Sequence, residues 1–289
     1  MKAHTVKAAN GAILSMQEMG EVVSSTVAEH ASSIVSKNYA FISTKQIIEA
    51  LAVTDFPLAP VYAKEQGTRK EEKIGYAKHV VRLRPVNNTL LVVGNCFPEV
   101  VITNSHCRTA SFTIEAGIFR PICSNGLVVC AQSVGKYTQR HTGCTIENVL
   151  DAVYKIVEDF PQIDTLSRTM QNTILEPAKQ LDFAERALAL RYPEVTSRPI
   201  TASALLSVRR YADQGADLWS VFNRIQENSV KGGLGYRRLV SGNAEAKTWR
   251  KRHQHIERGT TREVTGLDAS LELNRQLWTL AMEYTKVYA

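Results

Sequence analysis

An α+β fold is predicted for this chain, with a mainly antiparallel β-sheet in its N-terminal half packed with helices, and a helical C-terminal half carrying a long basic connection. Two changes of pattern predict it. From Pro57 to Ala131 the apolar residues come in short β-branched runs broken by turn chemistry (LAPVYA, YAKHVVRLR, TLLVVG, EVVITNS, ASFTIEAG, IFRPICS, GLVVCA), the spacing of successive strands. After Gly143 the apolar period lengthens to that of helices: Ile146, Val149, Val153, Ile156, Val157 and Phe160 form one stripe.

The segments follow in order. Residues 1–40, rich in Ala and Ser and weakly periodic, are expected to hold one or two helical pieces. Residues 41–144 form the α+β core, opened by a helix at KQIIEALA that Thr44 is placed to cap and that ends near Thr54. Asn87-Asn88 and Ser124-Asn125-Gly126 are hairpin-turn candidates, because Asn and Gly tolerate positive φ. Residues 145–230 are helical: Thr145 caps the first helix, others are expected near 163–175 and 177–191, and DLWSVFNRIQENSVKGG runs from an Asp217 cap to a Gly232 stop with Leu218, Phe222, Ile225 and Ser229 on one face. Residues 231–262 connect this helix to a final one at 263–289, where Thr265-Gly-Leu-Asp268 reads as a capping box and Leu267, Leu271, Trp278 and Ala281 or Met282 can face a core.

The charge has an address. The chain of 289 residues is 44% hydrophobic and carries a net +7. Lys231, Arg237, Arg238, Lys247, Arg250, Lys251, Arg252, Arg258 and Arg262 stand against only Glu245 and Glu257 in the connection, which leaves the rest of the chain balanced. With Tyr236, Trp249, His253 and His255 interleaved, this composition suits phosphate neutralisation plus base stacking. A connection this long is uncommon in a compact domain unless it is functional or disordered. A second basic strip is expected on YAKHVVRLR, where alternation puts Tyr76, Lys78, Arg82 and Arg84 on one strand face and Ala77, Val81 and Leu83 on the core face.

Chemistry-bearing motifs elsewhere are sparse. His106, Cys107, Cys123, Cys130, His141 and Cys144 lack the close ligand pairs of structural zinc, and the cysteines lie in apolar strand sequence. A nucleophile at Ser105, Cys107 or Cys123 would need His106 or His141 as base, yet His106 beside Ser105 on one strand points to the opposite face. No phosphate-loop motif occurs, and no apolar run approaches the roughly 18–20 residues of a membrane helix. The Gly232-Gly233-Leu234-Gly235 run, with Lys231, Arg237 and Arg238 around it, reads as a helix stop and loop, or as a flexible backbone that can approach a nucleic-acid phosphate. No catalytic residue, metal or cofactor is assigned. The five cysteines, without paired spacing, fit reduced thiols in a cytoplasmic protein.

Four stretches, NSH at 104–106, GIFRPICSNGLVV at 117–129, DLWSVFNRIQENSVKGG at 217–233 and LNRQLWTLA at 273–281, resemble in matching order a family carried by prophages and plasmids and catalogued as domain of unknown function 932. That family often shows Asp-Gly after the histidine, where Cys107-Arg108 stands here. The resemblance implies a mobile-element context, in which DNA-annealing and anti-defence proteins are common. In outline the arrangement is also similar to single-strand annealing proteins such as lambda Red beta, an analogy of fold alone.

The sequence therefore leads to the expectation of a non-enzymatic single-stranded DNA-binding protein that assists ATP-independent annealing or recombination as a homo-oligomer. Its site would be Lys78, Arg82 and Arg84 with the nine basic residues of 231–262 and Trp249 or Tyr236 as stacking groups. Host or phage recombination or defence proteins are further expected partners. The other readings are an interaction protein that binds a host defence enzyme, and a thiol- or metal-dependent nucleic-acid enzyme centred on residues 104–144.

Overall fold

A computed structural model describes residues 4–8, 12–86, 96–119, 126–128, 136–142, 145–240, 253 and 255–286. It shows the α+β architecture, with the antiparallel sheet N-terminal and a helical C-terminal end. The chain divides into two compact units, one of residues 1–168 with 265–278, the other of residues 169–264 with 279–289.

The first unit is built on a sheet of seven described strands. Strands β1 (His4–Lys7), β2 (Leu58–Glu65), β3 (His79–Pro85), β4 (Phe97–Asn104), β5 (Phe112–Phe119) and β6 (Gly126–Val128) are neighbours in that order, and β7 (Lys136–Gln139) pairs with the first half of β5. Every pairing is antiparallel, and from β2 to β6 each strand lies beside its predecessor, whereas the connection from β1 to β2 carries two helices and β7 returns to β5. β1 is an addition to the expected helical pieces, of which α1 (Met16–Val22) is one, capped by Ser15 with Glu18 in a capping box. The runs at 89–94 and 120–124, both proposed hairpin turns, Cys123, Cys130 and Cys144 fall wholly or partly outside the described residues.

Strand alternation gives the sheet two different faces. On one, Ala63, Val81, Leu83, Val100, Ile102, Ile114 and Ala116 are buried. Helix α2 (Thr44–Ala52), with Ile47, Ile48 and Leu51 buried, and α3 (Ile146–Glu158), with Val149, Val153 and Ile156 buried, lie against the sheet. Each such aliphatic side chain removed from water contributes about 1.5–3 kcal/mol. Thr145 caps α3 as expected, but the cap of α2 is Ser43, whose hydroxyl accepts from the Gln46 amide. The neighbouring hydroxyl is not free for that task, because Thr44 Oγ1 bonds His79 Nε2 at 2.8 Å and Asn104 Nδ2 at 2.9 Å.

The opposite face receives the start of α8 (Leu267–Lys286). Leu267 and Leu271 join Val80 and Val101 in one buried cluster, and the Lys64 ammonium donates to the Thr265 carbonyl at 2.9 Å. Asp268, read from sequence as a capping partner, instead pairs with Lys78.

The second unit is organised around α7 (Leu218–Lys231), in which every residue from Leu218 to Val230 is buried. Its first turn is capped by Asp217, which accepts from the Ser220 amide at 2.9 Å. Helices α5 (Pro177–Arg191) and α6 (Ala202–Leu205) contact it. The end of α8 joins α5 through Phe183 against Tyr284, and Tyr284 donates to Asp182 at 2.6 Å. Helix α4 (Phe160–Asn172) and α8 contribute residues to both units. Among the described residues no helix is long and apolar enough to cross a membrane.

Candidate nucleic-acid interface

The basic connection is an antiparallel hairpin at its two ends. β8 (Gly235–Val240) pairs with β9 (His255–Thr260), with Arg237 directly opposite Arg258 and Arg238 opposite Glu257. The period of two sorts these pairs onto different faces. Tyr236, Arg238, Glu257 and Gly259 share one face, where Arg238 bonds Glu257 at 2.6 Å and its guanidinium lies 5.9 Å from the Tyr236 ring centre. The Tyr236 ring lies so close over Gly259 that a Cβ there would meet its hydroxyl at 2.7 Å. Glycine therefore makes room for the ring, and Tyr236 is half-buried.

Arg237, Arg258 and Ile256 share the other face, and all three are exposed. Among the described residues neither arginine bonds a carboxylate. Like charges directly opposed across two strands destabilise the pairing, so this face holds a repulsion that an anion would relieve.

Of the remaining residues expected to bind, Arg262 is exposed beyond the end of β9. Lys231 is occupied: it bonds Glu227 at 2.9 Å, beside a fork from Arg210 to the same carboxylate at 2.7 and 3.0 Å. Burial would raise the Glu227 pKa, but these two cations hold it down to about 2. Lys247, Trp249, Arg250, Lys251 and Arg252 lie outside the described residues.

The strip on β3 has the expected alternation and a different environment. Arg82 and Arg84 do share a face, but they are 6% and 9% exposed and converge on Glu99, itself 1% exposed. Arg82 Nε stands 2.5 Å from Oε2 and Arg84 Nη2 2.8 Å from Oε1, so one carboxylate answers two guanidiniums. Tyr62 lies under Arg82 with 4.9 Å to its centre, and Phe97 under Arg84 with 4.4 Å. The same face carries Glu115, which takes a bidentate Arg275 at 2.8 and 2.5 Å. Arg82, Arg84 and Lys78 therefore do not form an exposed cationic strip, because acidic residues on neighbouring elements bind them. Glu99 and Glu115, which reasoning along single strands missed, were visible only as charges inside two otherwise apolar runs.

The NSH stretch is a structural hub. Asn104 donates to the Ile42 carbonyl at 3.0 Å and accepts from the Ser105 amide at 2.7 Å. Ser105 Oγ accepts from the amides of Cys107 and Thr109 at 3.3 and 3.1 Å, organising the β4–β5 turn. The His106 backbone bridges two further segments, donating to the Tyr76 carbonyl and accepting from the Ser32 amide. Its ring is buried 4.8 Å from Phe41 and 5.1 Å from His79. Among the described residues no histidine nitrogen bonds Ser105 or Cys107, and no three His, Cys, Asp or Glu side chains are grouped to hold a metal ion.

These histidines are neutral. His79 Nδ1 donates to the Ala77 carbonyl at 2.9 Å, leaving Nε2 to accept from Thr44. Burial pushes His79 down to about 4, although the Ala77 bond opposes this and His141 adds a little repulsion. Burial with repulsion from His79 and His141 pushes His106 to about 3, the Ser25 backbone weakly opposing. Below pH 6.5 the unfolded chain binds protons that the fold excludes, so stability falls as pH drops toward 4. At pH 4.5 His79 alone should remove about 2–3 kcal/mol. Urea titrations at pH 7, 5.5 and 4.5 check this, and His106→Phe should reduce the loss; equal stability across the range would contradict it.

The family signatures now have places: the β4–β5 turn, the second half of β5 with β6, α7, and the Arg275 turn of α8. A family model described as "Domain of unknown function (DUF932)" matches residues 31–278. Two relatives from Escherichia coli (strain K12), UPF0380 protein YafZ and UPF0380 protein YfjQ, are each 33% identical over 268 residues, covering 93% of this chain and 90% of theirs. No solved structure matches the chain. The matched region takes in the sheet from β2 onward and the helix-and-hairpin unit up to residue 278, and the chain belongs to the DUF932 family.

Proposed function

We propose that this protein binds single-stranded DNA through the β8–β9 hairpin, without catalysing a reaction, and assists strand annealing as a homo-oligomer in a mobile-element setting. The observation that carries the reading is the exposed Arg237–Arg258 pair, opposed in register with no acid between them, beside an Arg238 that is neutralised. A phosphate backbone supplies the missing negative charge. The sequence between the strands adds Lys247, Trp249, Arg250, Lys251 and Arg252, cations with a ring able to stack on a base. The sheet contributes scaffold in this reading, since Arg82 and Arg84 serve Glu99.

Binding to a labelled single-stranded oligonucleotide should weaken steeply with salt. For each phosphate of a single strand that is no longer neutralised, the log–log slope flattens by about 0.7, so Arg237→Gln with Arg258→Gln should flatten it by about 1.4. Charge reversal at Arg250, Lys251 and Arg252 should flatten it further. Mass measurement of the free and bound protein reports the oligomer. Absence of binding at low salt by the intact protein overturns the reading.

A further inference from the structure

A cleft of about 420 Å³ opens in the sheet unit where the β4–β5 turn meets the segment after β7 and the loop before α2. Two exposed arginines, Arg108 and Arg140, line it together with the hydroxyls of Ser36, Ser111 and Thr142. Among the described residues no carboxylate lines it and neither arginine has an acidic partner. One wall is aromatic: the Tyr39 and His141 rings stack with centres 4.6 Å apart, and the Tyr39 hydroxyl is fixed by donating to the Ser105 carbonyl at 2.6 Å. His141 is 6% exposed, and its Nε2 makes no hydrogen bond although the Ala110 backbone is near. Arg108 holds φ at +60°, the only positive value at a described non-glycine residue. L-residues adopt that conformation at an energetic cost, and such residues cluster at binding sites.

We infer that this cleft binds a phosphate monoester, carried by a free mononucleotide or by the phosphorylated 5′ end of a strand. Two guanidiniums match the two charges of a phosphate dianion, and the hydroxyls donate to its remaining oxygens. A lone carboxylate would need only one arginine. The Tyr39–His141 wall offers a planar surface beside the phosphate for a base. The cleft residues belong to the first unit and the hairpin to the second.

Calorimetric titration of the full chain at constant ionic strength, with inorganic phosphate and with AMP, tests it. Saturable binding is expected, weakened about tenfold or more by Arg108→Gly and by Arg140→Gln, each of which removes a charge-assisted hydrogen bond. Glycine accepts φ +60° without strain, so Arg108→Gly should melt no lower than the parent chain; if it does melt lower, Arg140→Gln alone carries the test. The two sources separate with oligonucleotides in the Arg237→Gln, Arg258→Gln background: preference for a 5′-phosphate over a 5′-hydroxyl end identifies the strand, and AMP binding without that preference identifies the nucleotide. The inference is overturned if neither phosphate nor AMP binds the parent chain and the Arg237→Gln, Arg258→Gln chain shows no preference for a phosphorylated end, or if Arg140→Gln binds as tightly as the parent.

Discussion

Glu99→Ala is expected to destabilise the sheet unit by about 3–5 kcal/mol, because it leaves two buried guanidiniums without the carboxylate both bind. The geometry explains the size. Glu99 is 1% exposed, its two oxygens divide between Arg82 and Arg84, and Tyr62 and Phe97 occupy positions where water could otherwise solvate the arginines. The charge is hard to replace, so Glu99→Gln should recover only part of the loss. Replacing all three together, Glu99→Leu with Arg82→Met and Arg84→Met, should be close to neutral, since desolvation penalty and attraction disappear together. Denaturant midpoints of the four chains measure this. A Glu99→Ala chain within about 1 kcal/mol of the parent would show that the triad is hydrated like a surface pair.

Gly232→Ala should be comparably damaging, by about 3 kcal/mol or more, for a reason of backbone shape. Gly232 ends α7 at φ +63° and ψ −144°, a region almost confined to glycine. An added Cβ would stand 2.6 Å from the carbonyl carbon and oxygen of Arg262 and from the Thr261 oxygen. None of these can move alone. The Thr261 carbonyl accepts from the Gly233 amide at 2.7 Å, and the Thr261 amide donates to the Leu234 carbonyl at 2.9 Å. The close approach thus sets the base of the β8–β9 hairpin, and the substitution should weaken oligonucleotide binding as well as stability. Gly235→Ala, where a Cβ meets nothing within 4 Å, is the control and should shift the melting temperature little.

Much of the secondary structure could be read along the chain because local chemistry enforces it. Thr145 and Asp217 satisfy first-turn amides, the glycine at 232 terminates a helix, and the alternation of YAKHVVRLR did place Val81 and Leu83 in the core. β1 escaped notice because a four-residue edge strand that is largely exposed leaves no apolar period. The cap of α2 was displaced by one residue because two hydroxyls compete there, and Thr44 is claimed by His79 and Asn104 from distant segments.

The candidate sites divide along the same line. The sequence by itself determined the excess of positive charge in residues 231–262, the strand faces and the order of the main helices, because composition and period are properties of neighbours in the chain; α4 (Phe160–Asn172) begins about three residues before the expected 163–175. Only the tertiary structure decided which cations are available. Arg82 and Arg84 are consumed by Glu99, Lys78 by Asp268 and Lys231 by Glu227, while Arg237 opposes Arg258 and Arg108 shares a cleft with Arg140. A charge is neutralised by what stands within a few ångströms in space, and except for Glu227, one helical turn before Lys231, those partners come from other elements of the fold.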